Sequence, residues 1–499
     1  MSSPLHDSLD RRESRLTRLP CPASIRSLAA RRRLAPLVLF LAALCFRIVV
    51  VETYHTRHLS SDGMQYYELA RQVAIGNGFS IWRDGHLEPH FFREPGYSLF
   101  AALPLAALRL FGQPVEKIDD WDLAAQGYTA PHTGVAAIKY AQAIVDALNV
   151  VLLFMILCLV LDRGQALVVS VLHAFYPPAA FACTDLLREV FLTFLTLNMA
   201  YFFALYLFGR RPRHLVLYSV FWGASLLTFQ AMLLAPLAFA ALSWLYFKRD
   251  LRLTLRATVA STAIALAIVS INVVRAYRYY PDVRVARNLG YSLTHEWMAV
   301  ASAQRAAQAS GLISEAEMER FFGEELYAQS DAERFRRSFD GYYAGIADSL
   351  NARIGLPQLV KVHVKVAARN FVYSWFRRPV WPAEQGPNVA LAERDVGAIV
   401  AYGLAAAIGC LALLGTVVFY RDLYPILLTY TYFVCLFYVI GSEPRRMLPA
   451  VPFFVLFAYL AAVHLAGRWR RRERPSRLAP PPTPSPPPAP AAPPGPTPA

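Results

Sequence analysis

Apolar runs of about 20 residues recur along most of this 499-residue chain, and each can cross a hydrocarbon core of roughly 30 Å. Within lipid every backbone N–H and C=O must be paired inside the protein, which makes such runs helices. Hydrophobic residues form 56% of the sequence and mean hydropathy is +0.33. The pattern implies an all-α polytopic membrane protein.

Ten spans are expected, near 34–51, 138–161, 166–183, 190–208, 214–229, 231–247, 254–274, 396–419, 423–440 and 447–466. The division near Gln230 is the least defined. Charge orients them. With the N-terminus inside, Arg31–Arg33, Asp162-Arg163, Arg210-Arg211-Arg213, Lys248-Arg249, Arg421 and the basic run after Arg468 all fall on the cytoplasmic side, as positive-inside sorting requires. The net charge of +15 is thus topological, and nucleic acid is not an expected partner. The apolar stretch Gly96 to Phe111 is short and interrupted by Pro104 and Arg109. Counting it as a span would move every later basic loop outside, so it is read as an amphipathic or partly re-entrant interfacial helix.

This topology divides the chain into a basic N-terminus (1–33), a transmembrane half (34–274) with an external loop (52–137), a second external segment (275–395), C-terminal spans (396–466) and a cytoplasmic tail (467–499). Residues 314–350 have helical spacing and many charges, and the aromatic stretch 358–376 with Lys361, Lys365 and Arg369 suits a helix lying in the headgroup layer. The tail from Pro475 is dominated by Pro and Ala and is expected to be extended or disordered. The first span lacks a small-residue cleavage site and reads as uncleaved. The six cysteines are scattered, without CxxC or metal-ligand spacing.

Ionisable groups collect at the external rim. Asp62 follows two serines and opens a helical pattern carrying Tyr66 and Tyr67. It is expected to cap that helix, whose end amides would hold the carboxylate ionised. Arg93-Glu94-Pro95-Gly96-Tyr97 reads as a turn into the interfacial helix, where Arg93 suits a phosphate and Glu94 a hydroxyl, or where Arg93 and Tyr97 merely anchor the interface. Asp185 and Glu189 lie at i and i+4 at the mouth of adjoining spans, with Arg188 between them as a local ion-pair partner in the simpler reading. Arg445 and Arg446 precede the last span on the outer side, against the positive-inside trend. Such placement is tolerated, but it also suits a lipid-linked phosphate. Arg275 joins this face. His55, His58, His86 and His90 flank Glu88, and a divalent metal there is an open alternative to solvated histidines, although no metal motif is matched. No P-loop, dinucleotide-binding glycine motif or GxSxG is present.

The order of these passages resembles membrane glycosyltransferases of the GT-C superfamily, of the aminoarabinose-transferase and protein O-mannosyltransferase kind. The resemblance rests on Asp62 with Tyr66-Tyr67-Glu68-Leu69-Ala70, on Arg93 to Phe100, on Asp185 with Glu189, and on Arg445 to Pro452. It covers most of residues 34–466, through short motifs. It implies a polyprenyl-phosphate-linked sugar donor and an inverting displacement on an unknown lipid, glycan or protein acceptor. Asp62 would be the base, with Arg445, Arg446, Arg93 and Arg275 on the departing phosphate. Tyr66, Tyr67, Glu94, Tyr97, Asp185 and Glu189 would position substrate. It also implies a bacterial inner-membrane location with the site facing the periplasm. Two departures stand out: Gly63 where relatives often carry a second acid, and Gln230-Ala231 where they often show Arg-Pro. The rival class is a transporter or flippase of lipid-linked substrates, which would favour broken helices and midplane charges; a ligase acting on lipid-linked glycans shares the donor type.

Overall fold

A computed structural model describes residues 25–54, 59, 61–83, 86–90, 93–118, 132–247, 249–279, parts of 300–361, 396–440 and 448–472. The described residues are helical almost throughout, consistent with the expected all-α membrane protein. Among the described residues six helices are long and apolar enough to span a bilayer: Leu34–Thr53, Thr133–Leu157, Glu189–Gly209, Leu251–Arg275, Ala407–Ile426 and Leu448–Gly467. A seventh candidate is broken, Arg163–Ala174 followed by Pro177–Thr184 with a 50° bend. Of the other three expected spans, two are shorter helices, Pro212–Leu226 and Gln230–Tyr246, and Leu428–Ile440 runs to the limit of the described residues, so ten full-length spans do not emerge among them. Prolines explain part of the difference, because Pro177, Pro212 and Pro236 each sit in a first helical turn and force a new helix to begin there.

We number the elements α1 (Ile25–Thr53), α2 (Ser61–Ile75), β1 (Ser80–Arg83), β2 (His86–Pro89), α3 (Pro95–Leu110), α4 (Thr133–Leu157), α5 (Arg163–Ala174), α6 (Pro177–Phe181), α7 (Glu189–Gly209), α8 (Pro212–Leu226), α9 (Ala235–Tyr246) and α10 (Leu251–Tyr279). The second half adds α11 (Glu315–Arg320), α12 (Tyr342–Ile354), α13 (Val396–Leu423), α14 (Leu428–Ile440) and α15 (Val451–Arg472). The core threads through α1, α4, α5, α7, α8 and α10, and continues into α13 to α15. Of the expected 314–350 helix, α11 and α12 are described, α11 with a full Ser314–Glu317 capping box. The 358–376 stretch and the Pro-rich tail lie mostly or wholly outside the described residues.

Three features place the first loop. The β1–β2 hairpin pairs Ile81 with Glu88 and Trp82 with Leu87. This strand pair was not expected, although Asp84-Gly85 between two β-prone runs is a hairpin signal. Helix α3 begins with Pro95 and stops short of spanning length. It buries Tyr97, Ser98, Ala101, Ala102 and Leu105, and exposes Leu99, Leu103, Leu110 and Phe111. Its start is driven into the end of α8. The Gly96 N–H donates to the Leu227 carbonyl at 2.6 Å, and a Cβ at Gly96 would lie 2.4 Å from Thr228 Oγ1 and 2.7 Å from that carbonyl oxygen. Only glycine allows this approach.

Candidate functional site

Asp62 lies second in α2, inside the first turn and one residue past Ser61, rather than at the cap. Its carboxylate still gains from the helix N-terminus. The group that fixes it comes from the other end of the loop: Arg93 Nη2 donates to Asp62 Oδ1. Arg93 Nε donates to Gln65 Oε1 at 2.9 Å, and its guanidinium lies 5.3 Å from the centre of the Tyr66 ring. One planar fork thus grips residues 62, 65 and 66 of a single helical turn, which a lysine could not do. The Arg93 N–H donates to His90 Nε2 at 3.0 Å, fixing the turn that presents it. Gln65 is a neighbour that sequence reasoning passed over, one turn after Asp62 on the same helix face, and His90, read from the sequence only as a metal or solvated histidine, instead holds the Arg93 turn.

Glu94 turns the opposite way. It is buried and pairs with Arg188, Nη1 to Oε2, at 2.6 Å, while its Oε1 accepts the Gln230 N–H at 3.2 Å. Arg188 packs over the Phe229 ring at 4.6 Å. Thus Arg188 reaches 94 positions back to Glu94, rather than serving only as a local mate of Asp185 and Glu189. Consecutive residues 93 and 94 therefore tie the first loop to α2 on one side and to α7 and the α8–α9 junction on the other.

Between these ties stands a buried phenol pair. Tyr66 and Tyr97 meet edge to face at 4.8 Å, and Tyr97 Oη donates to Gln142 Oε1 at 2.8 Å. Burial holds the Tyr66 hydroxyl above the usual tyrosine range despite the pull of Arg188 and Arg93. Burial, reinforced by Asp185, holds Tyr97 well above it. Both therefore remain neutral hydrogen-bonding groups. Tyr67 is equally buried, donates to the Glu116 carbonyl at 2.9 Å and fits under Gly134, where a Cβ would lie 2.7 Å from its oxygen. These tyrosines shape the floor of the site rather than line an open surface.

Asp185 and Glu189 are buried at the α6–α7 junction, with Asp185 Oδ1 accepting the Leu186 N–H at 2.8 Å. Gln142 Nε2 donates to the Asp185 carbonyl at 2.9 Å, which links that junction to Tyr97. Arg275, near the end of α10, donates to the His90 carbonyl and lies 4.8 Å from the centre of the Phe79 ring. It joins the same loop as Arg93 through His90. Arg445 and Arg446, the two arginines expected to be foremost at a phosphate, lie outside the described residues, as do His55 and His58. His86 pairs with Glu88 at 2.7 Å, and no group of three metal-ligating side chains occurs among the described residues.

One buried polar row escaped the sequence reading. Lys139, Gln142, Asp146 and Asn149 follow one another at helical spacing along α4, all inside the protein. Asp146 Oδ2 accepts from Arg47 Nε of α1 at 2.6 Å. The i, i+3, i+7, i+10 pattern is its signal, concealed because a window average over α4 stays strongly apolar.

Fold and site together define a polytopic α-helical membrane protein with an ion-paired acid at the head of its first loop. No family model matches the chain, and no curated protein matches it. Solved structures similar to it include the archaeal oligosaccharyltransferase AglB from Archaeoglobus fulgidus in complex with an inhibitory peptide and a dolichol-phosphate. The match has 14% identity and a TM-score of 0.47, over 88% of this chain and 51% of that one. The Archaeoglobus fulgidus oligosaccharyltransferase in complex with Zn and sulfate matches at 12% identity and TM-score 0.46, over 88% and 50%. ArnT from Cupriavidus metallidurans bound to undecaprenyl phosphate matches at 16% identity and TM-score 0.35, over 86% and 78%. These neighbours are GT-C superfamily membrane glycosyltransferases. The chain spans about half the length of the archaeal chains it matches.

Proposed function

We propose that this protein is an integral-membrane glycosyltransferase that moves a sugar from a polyprenyl-phosphate-linked donor to a hydroxyl-bearing acceptor. Its site faces the exterior of a bacterial inner membrane. The observation that supports this best is the Asp62–Arg93 pair, in which a carboxylate at a helix start is oriented by a guanidinium from the same loop. Asp62 accepts the acceptor proton as the hydroxyl attacks the anomeric carbon, the sugar–phosphate bond breaks, and the polyprenyl phosphate departs with the bonding electron pair. A carboxylate held by a cation is a modest base, sufficient where the proton leaves late. Arg445, Arg446 and Arg275 are assigned to the leaving phosphate, where charge stabilisation supplies the larger part of the rate. Arg93 serves first as the orienting partner of Asp62 and second as a phosphate contact. Tyr66, Tyr67, Tyr97, Glu94, Asp185 and Glu189 position the loop against the bundle. The exposed apolar stripe of α3 accords with a helix lying at the outer interface.

The test is transfer by purified protein from polyprenyl-phosphate sugars to candidate acceptors. Asp62→Asn is expected to lower the rate by about 10²–10⁴-fold with donor binding retained; full transfer by this variant would remove Asp62 as base. One observation favours the transporter reading: the buried Arg47–Asp146 pair beside a broken span, the combination transporters use. Asp62-independent movement of a lipid-linked sugar across proteoliposomes would select it.

A further inference from the structure

The break between α5 and α6 is surrounded by buried polar atoms. Arg47 is fully enclosed; its Nε is bonded to Asp146, and its Nη1 donates to the Ala174 carbonyl at 2.6 Å and to the Ala43 carbonyl at 3.3 Å. It thereby caps the carbonyl end of α5 inside the membrane. Asn149 Nδ2 donates to Asp146 Oδ1 at 3.0 Å, so both Asp146 oxygens are engaged. His173 precedes Ala174 and is 1% exposed. After these bonds, Arg47 Nη2, Asn149 Oδ1 and both ring nitrogens of His173 have no hydrogen-bond partner among the described residues. A buried polar atom left in that condition costs about 1–3 kcal/mol, and a cluster of them marks a site for a small polar guest.

Charge selects the guest. Arg47 and Asp146 cancel, and a neutral imidazole adds nothing. A bound anion or cation would place a net charge in a low-dielectric interior, which is strongly unfavourable. Hydrogen-bond valence then narrows the choice. The two N–H groups of Arg47 Nη2 and one imidazole N–H need acceptors, whereas the Asn149 oxygen and the other imidazole nitrogen need donors. Water supplies both kinds of partner through its two protons and two lone pairs, and because the two imidazole nitrogens point to opposite sides of the ring, more than one water is needed.

We infer that Arg47, Asn149 and His173 bind ordered water inside the membrane, at the hinge where the fifth helix bends into the sixth. The site is independent of the transferase reading. Water there satisfies the polar atoms that the Arg47, Asp146 and Asn149 bonds leave over, and each bond to it can be exchanged rather than broken outright.

Cryo-electron microscopy of the full chain in lipid nanodiscs, at a resolution that shows water, tests this directly. Density is expected within about 2.7–3.2 Å of Arg47 Nη2 and of a His173 ring nitrogen. Radiolytic labelling in ¹⁸O-water supplies a second readout: ¹⁸O is expected in the His173 peptide of wild type. In Asn149→Leu the label is expected to fall about tenfold, the occupancy lost with one hydrogen bond. A cluster without density and without label in wild type overturns the inference. So does density that gains an anomalous signal when chloride is replaced by bromide, since that guest would be an anion.

Discussion

The Glu94–Arg188 pair offers the sharpest energetic test, because it joins the first loop to the membrane bundle through one contact. Glu94 is 6% exposed and the Arg188 side chain 12%, so bulk water screens neither partner much. At an effective dielectric near 20, unit charges about 4 Å apart attract by about 4 kcal/mol. Removing one member of such a buried pair typically costs about 3–5 kcal/mol, since the other charge stays behind uncompensated. Glu94→Gln keeps an oxygen for the Gln230 N–H but strands the guanidinium. Arg188→Met keeps the packing over Phe229 but strands the carboxylate. Each single variant is expected to lose about 3–5 kcal/mol, and the double variant, which strands no charge, no more than either, giving a coupling of at least about 3–5 kcal/mol. Equilibrium unfolding of the purified protein in mixed micelles, followed by tryptophan fluorescence, measures the cycle. Costs that simply add within about 0.5 kcal/mol would show that the two residues do not act as a pair and that the loop is held elsewhere.

Other expectations follow from the same geometry. Gly96→Ala drives a methyl into Thr228 and the Leu227 carbonyl, and is expected to cost at least about 1–3 kcal/mol in the same unfolding assay. Adding Thr228→Ala should recover little, because the backbone clash remains. Arg93→Lys keeps the charge but cannot hold Asp62 and Gln65 together, so transfer should fall while its rescue by raised donor concentration stays incomplete. His132, the cap of α4, packs against Tyr67 beside Glu116, and burial lowers its pKa despite that carboxylate. Its folded form binds the proton less readily than its unfolded form. Its contribution is therefore whole above the unfolded value near 6.5 and lost as pH falls below it. An unfolding titration between pH 7.5 and 5 should show that loss, and His132→Asn should flatten it.

Some of this was legible in the sequence and some was not, for physical reasons. The long spans announced themselves, because 20 apolar residues have few alternatives. Helices α8 and α9 are apolar enough to look like spans but too short on their own, and hydropathy says little about where a proline restarts a helix. The short length of α3 was read correctly from Pro104, Arg109 and the charge balance of later loops. Site residues were gathered by topology as a rim of charges. Their pairings were not readable, since Arg93 finds Asp62 across 31 positions and Arg188 finds Glu94 across 94. Nothing in the local pattern says which acid belongs to which arginine. The α4 row was in principle readable from its spacing, and it weakens the expectation that ionisable groups gather only at the outer rim.

The Arg47–Asp146 pair also bears on how the protein is made. A charged residue near the middle of a span raises the cost of entering lipid by roughly 2.5–3.5 kcal/mol, and α1 and α4 each carry one at the same contact. Neither helix is at its best alone. Since α1 emerges first, its arginine waits near the bilayer until the aspartate of α4 arrives 99 residues later. Synthesis order and pairing thus coincide, and a variant lacking Asp146 should be recognised by the cell's quality control before any question of activity arises.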